Sequence, residues 1–156
     1  MVLFIVTLVI FLVVLFYLAI VLSLILRSRG CYEEYEYVLR KAYDRRYNLA
    51  LGATVYLSDE VSRTIDTYLK GIRGGISLKE EFELNNAFAS LLDTIAFSES
   101  DSMELGMLSL DIDRKVDAYN KKIDEFNSFV FSILVRPVSK LCHVKKMEKL
   151  LSATPV

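Results

Sequence analysis

Residues 2–26 read VLFIVTLVIFLVVLFYLAIVLSLIL, and this stretch decides how the chain is built. Its only polar groups are Thr7, Ser23 and the hydroxyl of Tyr17, and it contains no charged side chain. As a helix rising about 1.5 Å per residue it is roughly 37 Å long, more than a hydrocarbon core of about 30 Å. The sequence therefore predicts a transmembrane anchor over residues 1–26, tilted to fit the bilayer.

Two other interpretations of this segment fit the sequence less well. A secretory signal peptide has a basic n-region, an apolar core of about 7–15 residues and small residues at a cleavage site. None of these features occurs here. A lipoprotein signal has a small uncharged residue where Arg29 stands, although Gly30 precedes Cys31 as in such signals. Lipidation of Cys31 is therefore the weaker alternative to a plain anchor.

Basic residues indicate the orientation of the anchor. Arg27 and Arg29 follow the apolar stretch directly and are the first charged side chains of the chain. Flanks rich in Lys and Arg remain in the cytoplasm. The sequence therefore predicts a single-pass protein with its N-terminus outside and the following domain in the cytoplasm.

The remaining residues have the composition of one modest water-soluble domain, predicted over residues 32–151. Across the 156 residues, Lys+Arg number 19 and Asp+Glu 20, so the net charge of -1 offers no general attraction for nucleic acid. Cys31 and Cys142 lie far apart and in no CxxC arrangement. Neither a disulfide framework nor a zinc site is indicated, and a reducing compartment is the simpler interpretation.

Apolar residues after the anchor recur at the three- and four-residue spacing of a helix. The first stripe passes Gly52, a candidate kink, and is interrupted only at Arg46. A glycine-rich turn is predicted at residues 71–75, and Ser77 with Glu80 has the spacing of a capping box. The stripe consists of Tyr35, Leu39, Ala42, Leu49, Ala53, Tyr56, Val61, Ile65, Tyr68 and Ile72.

A second stripe follows the predicted turn, and its register continues through the polar residues 98–102. We therefore prefer one continuous helix over two helices joined by a loop. The sequence predicts an all-α protein, with an N-terminal transmembrane helix, a long antiparallel helical hairpin or bundle and a short C-terminal helix. The second stripe consists of Leu84, Phe88, Leu91, Ile95, Ser98, Ser102, Leu105, Ile112, Val116, Tyr119, Ile123, Phe126 and Val130.

The segment after Pro137 alternates apolar and basic residues and predicts a short basic amphipathic helix. Such a helix either binds anionic headgroups or closes the bundle as its last helix. Tyr32 and Tyr37 similarly fit either an interfacial aromatic belt or core packing. The candidates for contact with the membrane surface are Arg27, Arg29, Lys140, Lys145, Lys146 and Lys149.

The sequence shows no catalytic, cofactor-binding or metal-ligating set. The single histidine, His143, lies among lysines without a nucleophile or carboxylate pattern around it, so a general base is not indicated. Asp111 and Asp113 would point about 200° apart on a helix and could not share a metal. The chain is therefore predicted not to be an enzyme and to need no cofactor.

Short motifs in the predicted domain resemble landmarks of the bacterial LemA family. Residues 45–49 (RRYNL) are similar to that family's RRxDLIPNL segment, although its proline is missing here. The family's LKANxNF, TEN and YNxxVxxYN landmarks are matched, in the same order, by residues 84–88, 98–100, 117–120 and 125–127. The resemblance implies a membrane-anchored helical protein of the bacterial inner membrane, without established catalysis.

Three functions are compatible with this pattern. The first is a LemA-like, coiled-coil scaffold or interaction protein, the second an accessory subunit of a larger integral membrane complex, and the third an enzyme whose pocket gathers acidic side chains. Two long amphipathic helices cover only part of one another's apolar stripes. A homo-oligomer is therefore expected in addition to the lipid bilayer and an unknown protein partner, with Ile65, Tyr68, Leu91 or Ile95 near the seam.

Overall fold

The computed structural model describes residues 1–53, 63, 67, 70, 76–95 and 97–150. Among these residues the chain forms four helices and no strand, so the predicted all-α class is confirmed. The helices are α1 (Val2–Ala53), α2 (Leu78–Leu92), α3 (Glu99–Val130) and α4 (Arg136–Leu141). Two compact units are formed, a first unit of Met1–Glu34 with Asn120–Lys149 and a second unit of Tyr35–Tyr119 with Leu150–Val156.

Helix α1 is unbroken over 52 residues because it contains no proline and its two glycines are accommodated within it. Helix α1 continues through Gly52, the candidate kink, to Ala53, and a Cβ on Gly30 or Gly52 would meet open space. The most apolar 18-residue window of this helix has a mean hydropathy of 3.3 and is 6% buried. By length and composition, this helix near the N-terminus is able to cross a membrane.

The continuous helix preferred through residues 98–102 is wrong, because α2 ends at Leu92 and α3 begins at Glu99. After α2 the hydrogen bonds span three residues instead of four, and the N–H of Thr94 donates to the carbonyl of Leu91 at 3.0 Å. The Ser98 hydroxyl then accepts from the N–H of Asp101 at 3.1 Å and caps α3. The polar run ends one helix and starts the next, although the apolar spacing continues across it.

The capping box at the start of α2 is confirmed. The Ser77 hydroxyl accepts from the N–H of Glu80, and the Glu80 carboxylate accepts from the N–H of Ser77 at 2.8 Å. Hydrogen bonds from the Ser77 hydroxyl and N–H lower the pKa of Glu80 below its usual value. The box satisfies donors that the first turn of any helix leaves without a partner.

Cross-helix contacts give the directions of the helices in the second unit. Arg40 binds Glu81 and the Tyr47 ring lies 6.0 Å from that of Phe88, so α1 and α2 run parallel. Arg46 donates to Ser109 at 2.9 Å, while Ala50, a turn further along α1, shares a core cluster with Leu105. Helix α3 is thus the antiparallel neighbour of α1. The cluster consists of Tyr47, Ala50, Phe88, Leu92 and Leu105.

The predicted stripe is confirmed on α3 except at Ser102, which is exposed, and only in part on α1. Arg46, taken as an interruption, lies inside the buried face because its guanidinium reaches Ser109. The buried face of α1 accordingly includes Tyr43, Tyr47 and Ala50, which the predicted stripe omitted. The predicted α3 residues that are buried are Leu105, Ile112, Val116, Tyr119, Ile123, Phe126 and Val130. The predictions for residues 54–62, Ile65, Tyr68 and 71–75 lie outside the described residues.

A buried carboxylate joins α1 to α2. The Glu81 side chain is only 2% exposed and forms an ion pair with Arg40, which also binds Glu36 at 2.9 Å. Burial of a carboxylate is unfavourable unless a cation and hydrogen bonds compensate for its lost hydration. Arg40 therefore stabilises the second unit mainly by keeping Glu81 paired.

We expect Arg40→Ala to lower the free energy of unfolding by about 2 kcal/mol, because it leaves Glu81 buried without its cation. The matched control is Arg45→Ala, since Arg45 pairs with Glu104 at 3.5 Å while 68% exposed, and such pairs are worth less than about 1 kcal/mol. Unfolding of the full chain in detergent micelles, followed by circular dichroism, measures both. Equal effects of the two variants would contradict this role of Arg40.

Candidate membrane-contact site

The first unit is held together by apolar contacts between α1 and residues at and after the end of α3. Val21 and Ile25, on the apolar part of α1, are buried against Val135 and Val138. Leu18, Phe129 and Val144 pack around this cluster. We call these seven residues the anchor cluster; it joins the predicted membrane segment to residues more than a hundred positions away in the sequence.

A second pair of contacts shows that α1 and α3 are antiparallel in this unit as well. The Tyr32 ring meets the Phe126 ring edge-on with centroids 5.4 Å apart, whereas Tyr17 donates its hydroxyl to the carbonyl of Leu134. The interfacial-belt alternative for Tyr32 is wrong, because its ring is buried against Phe126. Tyr37 is exposed, and its place in such a belt stays a prediction.

The chain reverses between α3 and α4 through a hydrogen-bonded turn. The Ser132 carbonyl accepts from the N–H groups of Val135 at 3.1 Å and Arg136 at 2.8 Å. The buried Ser139 hydroxyl lies 3.0 Å from the Val130 carbonyl and 3.1 Å from the Val135 carbonyl, within donating distance of both. These bonds satisfy carbonyls that the end of a helix leaves without partners. The turn is therefore a defined structure.

Helix α4 ends in a Schellman motif centred on His143. The N–H of Val144 donates to the Ser139 carbonyl at 2.9 Å, and the N–H of His143 donates to the Lys140 carbonyl at 3.2 Å. His143 has a φ of 54°, the left-handed conformation that glycine usually supplies at this position. The only histidine of the chain thus occupies a turn position, where its backbone reverses the chain.

After this turn the chain returns along α3 without regular structure. The Asn127 side-chain amide donates to the Met147 carbonyl at 3.0 Å and accepts from its N–H at 2.9 Å. Lys149 pairs with Asp124 at 2.6 Å. The amphipathic helix predicted after Pro137 is therefore limited to α4, because His143 ends it and Asn127 binds the extended backbone beyond it.

All six predicted surface cations are exposed and lie in the first unit. Arg29 binds Glu33 at 3.1 Å and Lys149 binds Asp124. Among the described residues, the other four take part in no ion pair. Arg136 is a further exposed cation that the sequence analysis missed, although it directly follows an apolar run. Because the anchor cluster joins α1 to α4, cations from distant parts of the sequence lie in one unit.

Two features of the second unit were also missed. A cavity of about 530 Å³ lies beside Arg46 and Ser109, with Asp93 and Asp113 in its lining. Asn85 of α2 is buried, and neither polar atom of its amide has a hydrogen-bond partner among the described residues. Within the described part of the chain, no three His, Cys, Asp or Glu side chains come together as metal ligands.

Helix α3 also carries an exposed apolar stripe in the second unit, formed by Met103, Met107 and Leu110. The spacing of these residues places them on one helix face, a signal that the sequence analysis passed over in favour of the buried face. The proposed seam residues Leu91 and Ile95 are partly buried and pack against the core cluster of their own unit.

Comparisons with known proteins do not identify the chain. No protein-family model, curated protein or solved structure matches the chain. The assignment of function therefore depends on the exposed apolar surfaces, the basic side chains and the cavity of the chain itself.

We expect His143→Gly to raise the free energy of unfolding by about 0.5–1 kcal/mol, because glycine adopts the left-handed conformation without a steric penalty. His143→Val should lower it, since a β-branched residue fits this conformation worst. Thermal unfolding of the full chain in detergent micelles measures both changes. A lower stability of the glycine variant would show that the imidazole itself holds the turn.

Proposed function

We propose that this protein is a single-pass, membrane-anchored helical scaffold or interaction protein. The observation that carries the proposal is the exposure of every residue from 1 to 17 on an almost entirely apolar helix. A Leu, Ile, Val or Phe side chain left in water forgoes about 1.5–3 kcal/mol of favourable burial. A bilayer covers such a surface around its whole circumference, which is what a helix exposed on all faces needs.

The basic side chains of the first unit support a cytoplasmic location for the domain. Sequence alone supplies Arg27 and Arg29 at the end of the apolar stretch. The first unit also contains Arg136 and Lys140, which flank Val138 of the anchor cluster in sequence. The preference to stay inside is set by Lys and Arg close to the span, so it depends on Arg27 and Arg29, whereas Arg136 and Lys140 are suited to anionic headgroups on the same side.

The LemA resemblance agrees with this proposal and extends it to the inner membrane of a bacterium. Two of the motifs that carry it, residues 45–49 and 84–88, contain the Tyr47 and Phe88 rings that meet in the core of the second unit. The likeness thus involves residues that pack together. LemA-like proteins have no established catalysis, which fits a role in recruiting or organising partners.

The stripe Met103, Met107 and Leu110 is the surface through which such interactions would occur. Methionine adapts its shape to a partner, and exposed apolar faces on folded units commonly mark interfaces. Attachment to one membrane raises the local concentration of copies, which favours self-association through this face.

Met107→Lys tests the interaction role. Crosslinking of the full chain in native membranes should show a homo-oligomer that this variant loses, because a charge in an apolar interface is unfavourable. The control Ala87→Lys adds the same charge at an exposed position of α2 and should leave the oligomer intact. A monomer in both cases would refute self-association, and recovery of a fixed set of other subunits would favour the accessory-subunit alternative.

Labelling with an impermeant maleimide tests the orientation. Cys142 is exposed, and in a Cys31→Ser background it should react only after detergent opens the membrane. Asp117→Cys, at an exposed position of α3, should behave in the same way. Reaction of either thiol in intact cells would reverse the proposed topology.

A further inference from the structure

The turn between α3 and α4 exposes large apolar side chains. Residues 129–135 read FVFSILV, and within them Phe131 is 46%, Ile133 91% and Leu134 74% exposed. We call Phe131–Leu134 the apolar tip. A loop in water normally carries polar side chains at such positions, because an apolar side chain that stays exposed contributes no favourable free energy of burial. In the sequence the tip only follows Val130, the last residue of the second stripe, and has no predicted role.

The tip lies beside the part of α1 that is proposed to cross the membrane. Tyr17 donates its hydroxyl to the carbonyl of Leu134, the tip's last residue. Tyr17 is about 13 Å before Leu26, the end of the apolar stretch, at about 1.5 Å per residue. The residues after the tip then pack on Val21 and Ile25, nearer that end. The tip is thus alongside α1 at a depth well inside the apolar stretch.

We propose that the apolar tip is inserted among the acyl chains of the leaflet at the C-terminal end of the anchor. This inference rests on the proposed function, since it requires α1 to cross the bilayer. Lipid is the occupant that the contacts favour, because the tip continues the lipid-facing surface of residues 1–17 at the same depth. The exposed cations Arg136 and Lys140 follow the tip and are suited to the headgroup region.

Within a membrane, polar backbone groups lack water and need protein partners, and four of the tip's backbone groups have them. The N–H of Phe131 donates to the Asn127 carbonyl at 3.0 Å, and that of Ser132 to the Phe129 carbonyl at 3.1 Å. The Leu134 carbonyl accepts from the Tyr17 hydroxyl, and the Ser132 carbonyl accepts from the N–H groups of Val135 and Arg136. The Tyr17 hydroxyl, one of the few polar groups of the span, therefore satisfies a backbone carbonyl of the tip.

Insertion of the tip also explains how the long apolar stretch fits a bilayer. The 37 Å expected for 25 residues exceeds a hydrocarbon core of about 30 Å. Val21 and Ile25, near its end, are covered by Val135 and Val138. About two turns of the stretch are therefore covered by protein on one face. The remaining length, which must contact lipid on every face, is close to the thickness of the hydrocarbon core.

Single thiols placed along the full chain test this proposal in a Cys31→Ser, Cys142→Ser background. An environment-sensitive fluorophore is attached to I133C, to V9C within the span or to K121C, an exposed position on α3 in the same unit. The proteins are reconstituted in phosphatidylcholine and phosphatidylglycerol vesicles, with or without brominated acyl chains. I133C is suited to this purpose because its side chain is almost wholly exposed and contributes little to packing.

The expected result is blue-shifted emission and loss of fluorescence in brominated vesicles for both I133C and V9C, with neither change for K121C. Quenching of V9C without quenching of I133C would refute insertion of the tip but would still support α1 as a membrane anchor. A blue shift of I133C without bromine quenching would assign the tip to a protein partner and overturn the proposal in the same way. Failure of V9C to be quenched would instead refute the anchor itself.

Discussion

The packing of Val135 and Val138 on Val21 and Ile25 is the interaction on which the first unit depends. Without it, the residues after α3 would have no apolar surface to fold against, and α4, with only 6 residues, is too short to be stable alone. The turn at Ser132, the Schellman motif at His143 and the return of the chain along Asn127 all follow from holding α4 in this place. Apolar burial fixes the position, and polar side chains then satisfy the backbone where the chain reverses.

The second unit buries charged and amide side chains within its apolar core. Arg46 reaches Ser109 from the buried face of α1, and Glu81 on α2 is compensated by Arg40. Asn85, one turn after Glu81, has no hydrogen-bond partner for its buried amide within the described part of the chain. Such groups cost stability compared with apolar residues of the same size, so their retention favours a role in fixing helix register or in function.

Much of the helical architecture could be predicted from the sequence, because apolar periodicity is a local property. The stripe from Leu105 to Val130 and the capping box at Ser77 are of this kind. The break before Glu99 was missed because the Ser98 side chain caps a new helix there. Apolar spacing is the same for a continuous helix and for two helices in register, so it cannot distinguish them. Arg46 was misplaced because its burial depends on a partner 63 positions away.

The candidate membrane-contact site was predictable only in its charges, for a related physical reason. Lys and Arg next to an apolar stretch are visible in sequence, whereas the apolar tip follows directly on Val130, the last residue of the second stripe, and nothing local sets it apart until its surroundings are known. Its exposure at Ile133 distinguishes it from core, and the Tyr17 contact distinguishes it from an ordinary surface loop. A single span leaves a protein able to rotate about the helix axis. The apolar tip, inserted beside that span as proposed, would fix which face of the first unit meets the lipid, and the two together would specify the orientation that the proposed scaffold needs at a membrane surface.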